Sequence, residues 1–133
     1  MAGNRFASER FKQANENLEQ LLLAMRQGDM PSFIRIVEEE ALTLHALMMT
    51  SSPSYILMEP QTIDAVRAIR SFREENDIPV CFTLDAGPNI HMLYPASCAG
   101  QVEPWRDTVL RPLCEGGRII EDRVGQGPQR ISF

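Results

Sequence analysis

A chain of 133 residues, 44% hydrophobic and 23% charged, has the make-up of one globular domain spanning residues 1–133, large enough for a core but small for a complete nucleotide-dependent enzyme. Its net charge of −5, with Lys12 as the only lysine, excludes the usual nucleic-acid and anionic-membrane partners, which need clustered cations. No apolar run approaches a bilayer span and the N-terminus lacks a secretory pattern, so a cytoplasmic location is expected.

In chain order, residues 5–27 read as an amphipathic helix in which Phe11, Ala14, Leu18, Leu21, Leu22 and Met25 recur at three- and four-residue steps. Gly28 supplies a left-handed stop. Asp29 can cap a second helix with Pro31 in its first turn, running through Phe33, Ile34, Val37, Ala41, Leu44 and Met48 to about residue 50. The two should form an antiparallel hairpin. Pro53 and Pro60 punctuate a loop, and Pro60 opens a third helix with Ile63, Val66, Ile69 and Phe72 on one face. Arg67, Arg70 and Arg73 make a basic stripe beside it, read as a solvated face paired with glutamates, with a phosphate contact as the sharper alternative.

After Asn76 the pattern changes. Residues 78–84 are β-branched and apolar, as in a buried strand, and residues 90–94 read as a returning one. Residues 102–113 are a helix strained by Pro112. Gly116-Gly117 is a turn, residues 118–124 alternate like a strand, and residues 129–133 suggest one more. Helices on one side and a small antiparallel sheet on the other define a two-layer α+β domain. The cysteines Cys81, Cys98 and Cys114 form no Cys-x-x-Cys pair; inert thiols are expected and no metal site.

Thr83-Leu84-Asp85-Ala86-Gly87-Pro88-Asn89 is the segment that carries chemistry. An acidic residue where a strand hands over to a loop sits where catalytic groups are held on rigid scaffolds. Ala86 and Gly87 leave room for a ligand to approach the backbone, Pro88 stiffens the turn, and Asn89 can bond back to it. The bland alternative is a tight turn in which Asp85 merely accepts backbone N–H bonds. His45, on an apolar helix face, reads as a core histidine bonded once, and His91 as surface. Trp105 and Tyr94 read as core or rim, and Met48, Met49 and Met58 as packing.

The Asp85-Ala86-Gly87-Pro88-Asn89 run resembles the matching segment of mevalonate-diphosphate decarboxylases of the GHMP kinase superfamily. Leu44-His45-Ala46 with Ser52-Pro53 and Tyr55, Ile78-Pro79-Val80, and Val124-Gly125-Gln126-Gly127-Pro128-Gln129 follow that family's order. The resemblance implies a ferredoxin-like GHMP kinase C-terminal domain, the substrate-side lobe of a two-lobe enzyme, and a natural protein longer than 133 residues. It implies that Asp85 acts as base or orienting acceptor for the C3 hydroxyl of mevalonate diphosphate when ATP, with Mg2+, phosphorylates it before loss of CO2 gives isopentenyl diphosphate. Ala86 and Gly87 are then substrate-binding.

The family's glycine- and serine-rich phosphate loop is absent here. The isolated chain is therefore expected to bind no cofactor and to be inactive, ATP and Mg2+ belonging to the missing N-terminal nucleotide lobe. Rival readings are another family member, such as a phosphomevalonate decarboxylase or a mevalonate 3-kinase, and a non-catalytic ferredoxin-like binding or oligomerisation module. The apolar stripes of the first two helices would suit a homodimer.

Overall fold

The computed structural model describes residues 4–131. Helix α1 (Ala7–Gln27) ends as expected at Gly28, whose φ of 66° is left-handed, and the following Asp29 N–H donates to the Ala24 carbonyl at 2.9 Å. The Asp29 carboxylate then accepts from the Ser32 N–H at 3.2 Å and starts helix α2 (Met30–Met49), with Pro31 in the first turn. Hydrogen bonding from Ser32, first through its side chain and then through its backbone N–H, holds the carboxyl below its usual range. So short a connection folds α2 back along α1.

Polar groups tie this hairpin together. Glu40 pairs with Arg10 and accepts from Asn17 at 2.8 Å, while buried Asn4 donates to the Leu47 carbonyl at 2.6 Å near the end of α2. The α1 stripe is left largely in the open: Phe11, Leu18, Leu22 and Met25 are all exposed, and the buried residues of the helix are Asn17 and Ala24. Periodicity identified the helix, but its buried side is the small and polar flank of the stripe.

Helix α3 (Pro60–Asn76) starts at Pro60, as expected, and is closed at its N-terminus by a reciprocal box between Glu59 and Thr62. Val66, Ile69 and Phe72 are buried, whereas Ile63 is exposed. The chain then enters a two-stranded antiparallel sheet of β1 (Cys81–Leu84) and β2 (Ile90–Leu93), with Thr83 opposite His91 and Leu84 opposite Ile90. Phe82 and Leu84 join Val66, Ile69, Phe72, Ile78, Val80, Val102 and Leu110 in one core. Trp105 stacks on Phe72 at 4.2 Å between centroids.

The expected helix over 102–113 is present but changes pitch. Helix α4 (Ala99–Trp105) widens to a π turn over Arg106–Leu110 and tightens to a 3₁₀ turn over Arg111–Leu113. Pro104 and Pro112 cannot donate to the preceding turn, and the ladder reorganises around both gaps.

The strand expected over 118–124 does not form, nor does the described part of the one expected over 129–133. Residues 118–124 have no regular structure; Ile120 is 88% and Val124 100% exposed. Alternation makes a strand only where a neighbour accepts its ladder, and none of the described residues pairs with this segment. It is held instead by Glu121, 2.8 Å from the buried Arg106, and by Arg111 donating to the Gly117 carbonyl. Residues 129–131 are likewise irregular and exposed, and the rest of that expected strand lies outside the described residues. The architecture is the expected α+β one, helices on a small antiparallel sheet. Among the described residues no helix is long and apolar enough to cross a membrane.

Candidate functional site

Three elements converge on the turn that links β1 to β2. Its backbone is fixed from two sides. From α2, the buried His45 ring reaches the Asp85 carbonyl at 2.8 Å. A carbonyl only accepts, so Nε2 carries the proton and donates. From the start of α3, the hydroxyl of buried Thr62 donates to the Pro88 carbonyl at 2.7 Å while accepting from the Glu59 N–H at 3.2 Å. The Gly87 N–H closes a tight turn onto the Asp85 carbonyl at 2.8 Å.

The Asp85 side chain is thereby left over. It is 83% exposed, and its Oδ2 lies 3.0 Å from Nε2 of His91 on β2. The turn consumes the carbonyl of Asp85, not its carboxylate, so the bland alternative of a self-satisfied turn aspartate does not describe it. Ala86 is exposed, and a Cβ added at Gly87 would meet nothing within 4 Å, so the expected room beside the carboxylate exists. A cleft lies elsewhere, between α1 and α2, lined by Phe6, Arg10, Gln13, Thr43, Leu47 and Thr50. Asp85 stands on an open surface.

A second carboxylate next to the hairpin behaves differently. Glu38 of α2 is buried and accepts from Arg70 Nε at 3.2 Å and from Arg73 Nη1 at 2.6 Å, and Arg73 also donates to the Val80 carbonyl at 2.9 Å. Arg70 lies over the Phe82 ring, 5.4 Å from its centroid. Two members of the basic stripe are therefore glutamate partners, as the solvated-face reading expected, although the glutamate is in the interior. Cys81 sits against this cluster with its thiol pushed up to about 11, chiefly by burial and then by the Glu38 charge, with Arg73 opposing. It is an inert thiol, as expected.

These pairings bear on phosphate binding. Arg10, Arg70, Arg73, Arg106 and Arg111 are engaged by carboxylates. At the turn itself the partner of Asp85 is a histidine. The two arginines beside the hairpin, Arg70 and Arg73, are thus committed to Glu38.

Asp85, Ala86 and Gly87 lie on the turn between β1 and β2, and His45 is the core histidine with one bond. The roles of Thr62 and His91 were not visible in sequence. A threonine three residues after Glu59 is a capping signal, but its second bond, to Pro88, spans 26 residues. His91 alternates with apolar neighbours as any surface strand residue does; only the register of the turn brings it to Asp85.

The profile of the mevalonate 5-diphosphate decarboxylase C-terminal domain matches residues 2–112. Among curated relatives, a phosphomevalonate decarboxylase of Haloferax volcanii is 26% identical over 91 residues, covering 68% of this chain and 28% of that protein. A diphosphomevalonate decarboxylase of Candida albicans is 22% identical over 130 residues, covering 88% and 36%. Among solved structures, a mevalonate diphosphate decarboxylase from Legionella pneumophila superposes with a TM-score of 0.76 at 28% identity, over 82% of this chain and 35% of that one. One from Enterococcus faecalis gives 0.75 at 23%, over 80% and 33%, a likeness of fold alone. The chain spans about a third of the length of these relatives. Its α+β arrangement is that of a GHMP kinase C-terminal domain. With most of its length matched, the chain belongs to the mevalonate 5-diphosphate decarboxylase C-terminal domain family.

Proposed function

We propose that this chain is the substrate-side part of an ATP-dependent diphosphomevalonate decarboxylase, and that Asp85 is its catalytic residue. Asp85 accepts the hydrogen bond of the C3 hydroxyl of mevalonate diphosphate and takes its proton as that oxygen becomes a nucleophile. Ala86 and Gly87 let the substrate lie against the turn. The observation that carries this reading is a carboxylate whose backbone is fixed by His45 at 2.8 Å while its side chain stays 83% exposed. A tertiary alcohol is a poor nucleophile until it is aligned and offered a proton acceptor, and a positioned base contributes about 10²–10⁴-fold.

ATP and Mg2+ would be held by a nucleotide lobe, since the two arginines beside the Asp85 hairpin, Arg70 and Arg73, are already engaged by Glu38. One structural neighbour, of which the matched region is 32%, is MDDEF in complex with MVAPP, AMPPCP and magnesium. A second reading, decarboxylation of the 5-monophosphate, is favoured by the likeness to the Haloferax volcanii phosphomevalonate decarboxylase.

The test is an assay of CO2 release by the native gene product with ATP, Mg2+ and, in turn, mevalonate, its 5-phosphate and its 5-diphosphate. Turnover is expected with the diphosphate, and none from the 133-residue chain alone. Turnover confined to the monophosphate selects the second reading. No turnover with any of the three, or activity in the isolated chain, overturns both.

A further inference from the structure

We propose that His91 is a positioning residue for Asp85: its Nε2–H holds Oδ2, so that the carboxylate keeps one rotamer and presents Oδ1 to a ligand. The proposal rests on the functional reading of Asp85 above, and extends it to a residue that the turn motif does not include.

The geometry follows from the hairpin. Thr83 and His91 are register partners, so their side chains leave the same face of the sheet. Asp85 lies two residues beyond Thr83 and directly follows Leu84, the last residue of β1. Phe82, Leu84, Ile90 and Met92 point the other way into the core. His91 thus reaches along the sheet to Asp85, at 3.0 Å, from a strand already fixed by its ladder. A carboxylate only accepts, so the ring nitrogen donates.

Two further observations separate this contact from a stabilising surface pair. The imidazole is 53% and the carboxylate 83% exposed, where an ion pair adds little to stability. The turn's stability is supplied by other bonds, from His45 and Thr62 to the backbone. What the backbone bonds leave free is rotation of the Asp85 carboxylate about its own side-chain torsions. His91 is the described side chain that restrains it. One oxygen held and one offered is the arrangement a proton acceptor needs if it is to meet a hydroxyl in a single orientation.

The test has two arms. In the 133-residue chain, three-bond couplings of Asp85 report its χ1 populations in wild type, His91→Gln and His91→Leu. Gln can place a donor near the position of Nε2; Leu cannot. A single rotamer is expected in wild type and His91→Gln, and averaging in His91→Leu. Averaging in wild type, or one rotamer in all three, overturns the proposal whatever the enzyme does.

In the native gene product assayed with mevalonate diphosphate, His91→Leu should lower kcat by roughly 10-fold or more with KM within about twofold, and His91→Gln should recover most of the loss. Equal losses in the two variants, or none in His91→Leu, overturn the positioning role. A wild-type enzyme without turnover on any of the three mevalonate substrates instead overturns the functional reading, and leaves the rotamer result to stand as a statement about the turn.

Discussion

Glu38 and Asp85 are carboxylates on opposite sides of the same problem. Glu38 has a side chain only 4% exposed and receives three hydrogen bonds from Arg70 and Arg73, whereas Asp85 is 83% exposed and has a single imidazole partner. A buried carboxylate must be matched by cations and donors, or the domain would lose more from its desolvation than packing returns. Once matched, its charge is spent within the fold. An exposed carboxylate contributes little to stability, and its charge stays available to whatever approaches. His45 and Glu38 lie two turns apart on α2, so one helix face serves both: it neutralises the arginines of α3 at one end and pins the backbone of Asp85 at the other.

The largest effect that this contrast predicts is on chemistry. Asp85→Asn in the native gene product should lower turnover of mevalonate diphosphate by about 10²–10⁴-fold, because the amide cannot take a proton. Urea unfolding of the same variant should shift by no more than about 0.5 kcal/mol, since the group is solvated. Near-normal CO2 release would collapse the distinction between the two carboxylates. The inverse variant is Arg73→Leu, which strips Glu38 of two of its three bonds and the Val80 carbonyl of its side-chain donor. Unfolding free energy should fall by about 3–5 kcal/mol, the cost of leaving a charge buried without its partner. A loss below about 1 kcal/mol would mean that water reaches Glu38 and that it is not interior after all.

Much of this was legible in the chain itself, for local reasons. Gly28, Asp29 and Pro60 mark helix ends through their own backbone and side-chain preferences, and the structure places the ends there. The Asp85 turn follows from a strand meeting Ala-Gly-Pro. What was not legible depends on partners distant in sequence. That Glu38 among three consecutive glutamates is the buried one is decided by where α3 crosses, not by α2. The apolar residues of α1 give its period but not which flank meets α2, and the alternation of residues 118–124 has no ladder partner among the described residues. His91 required the register of a turn, which single-residue preferences do not set.

A smaller effect separates the backbone of Asp85 from its side chain. His45→Leu removes the donor to the Asp85 carbonyl and should cost about 1–3 kcal/mol in urea unfolding. Hydrogen exchange at the Gly87 amide should speed up in step, because its acceptor is that same carbonyl. If the loop is only an attachment for a side chain, turnover should fall less than in Asp85→Asn. A loss as large as that of Asp85→Asn would show that fixing the backbone is itself the catalytic contribution.

The smallest effect concerns Cys81, which reports on Glu38 from the neighbouring strand. Its thiol is raised from 9.0 to about 11, first by burial, next by the Glu38 charge, against Arg73. The folded state therefore retains a proton that the unfolded chain releases. The stability linked to this thiol is fully present below pH 9, falls as pH rises from about 9 to about 11, and levels off above. Unfolding in urea at pH 8, 9, 10 and 11 should show this decline in wild type and a shallower one in Cys81→Ala; Tyr94, also raised by burial, contributes equally to both. Glu38→Gln removes the second cause but not the first, so the decline should begin at the same pH and end earlier. If Cys81→Ala declines as steeply as wild type, the thiol is not held protonated by the fold, and the interior around Glu38 is more polar than its burial indicates.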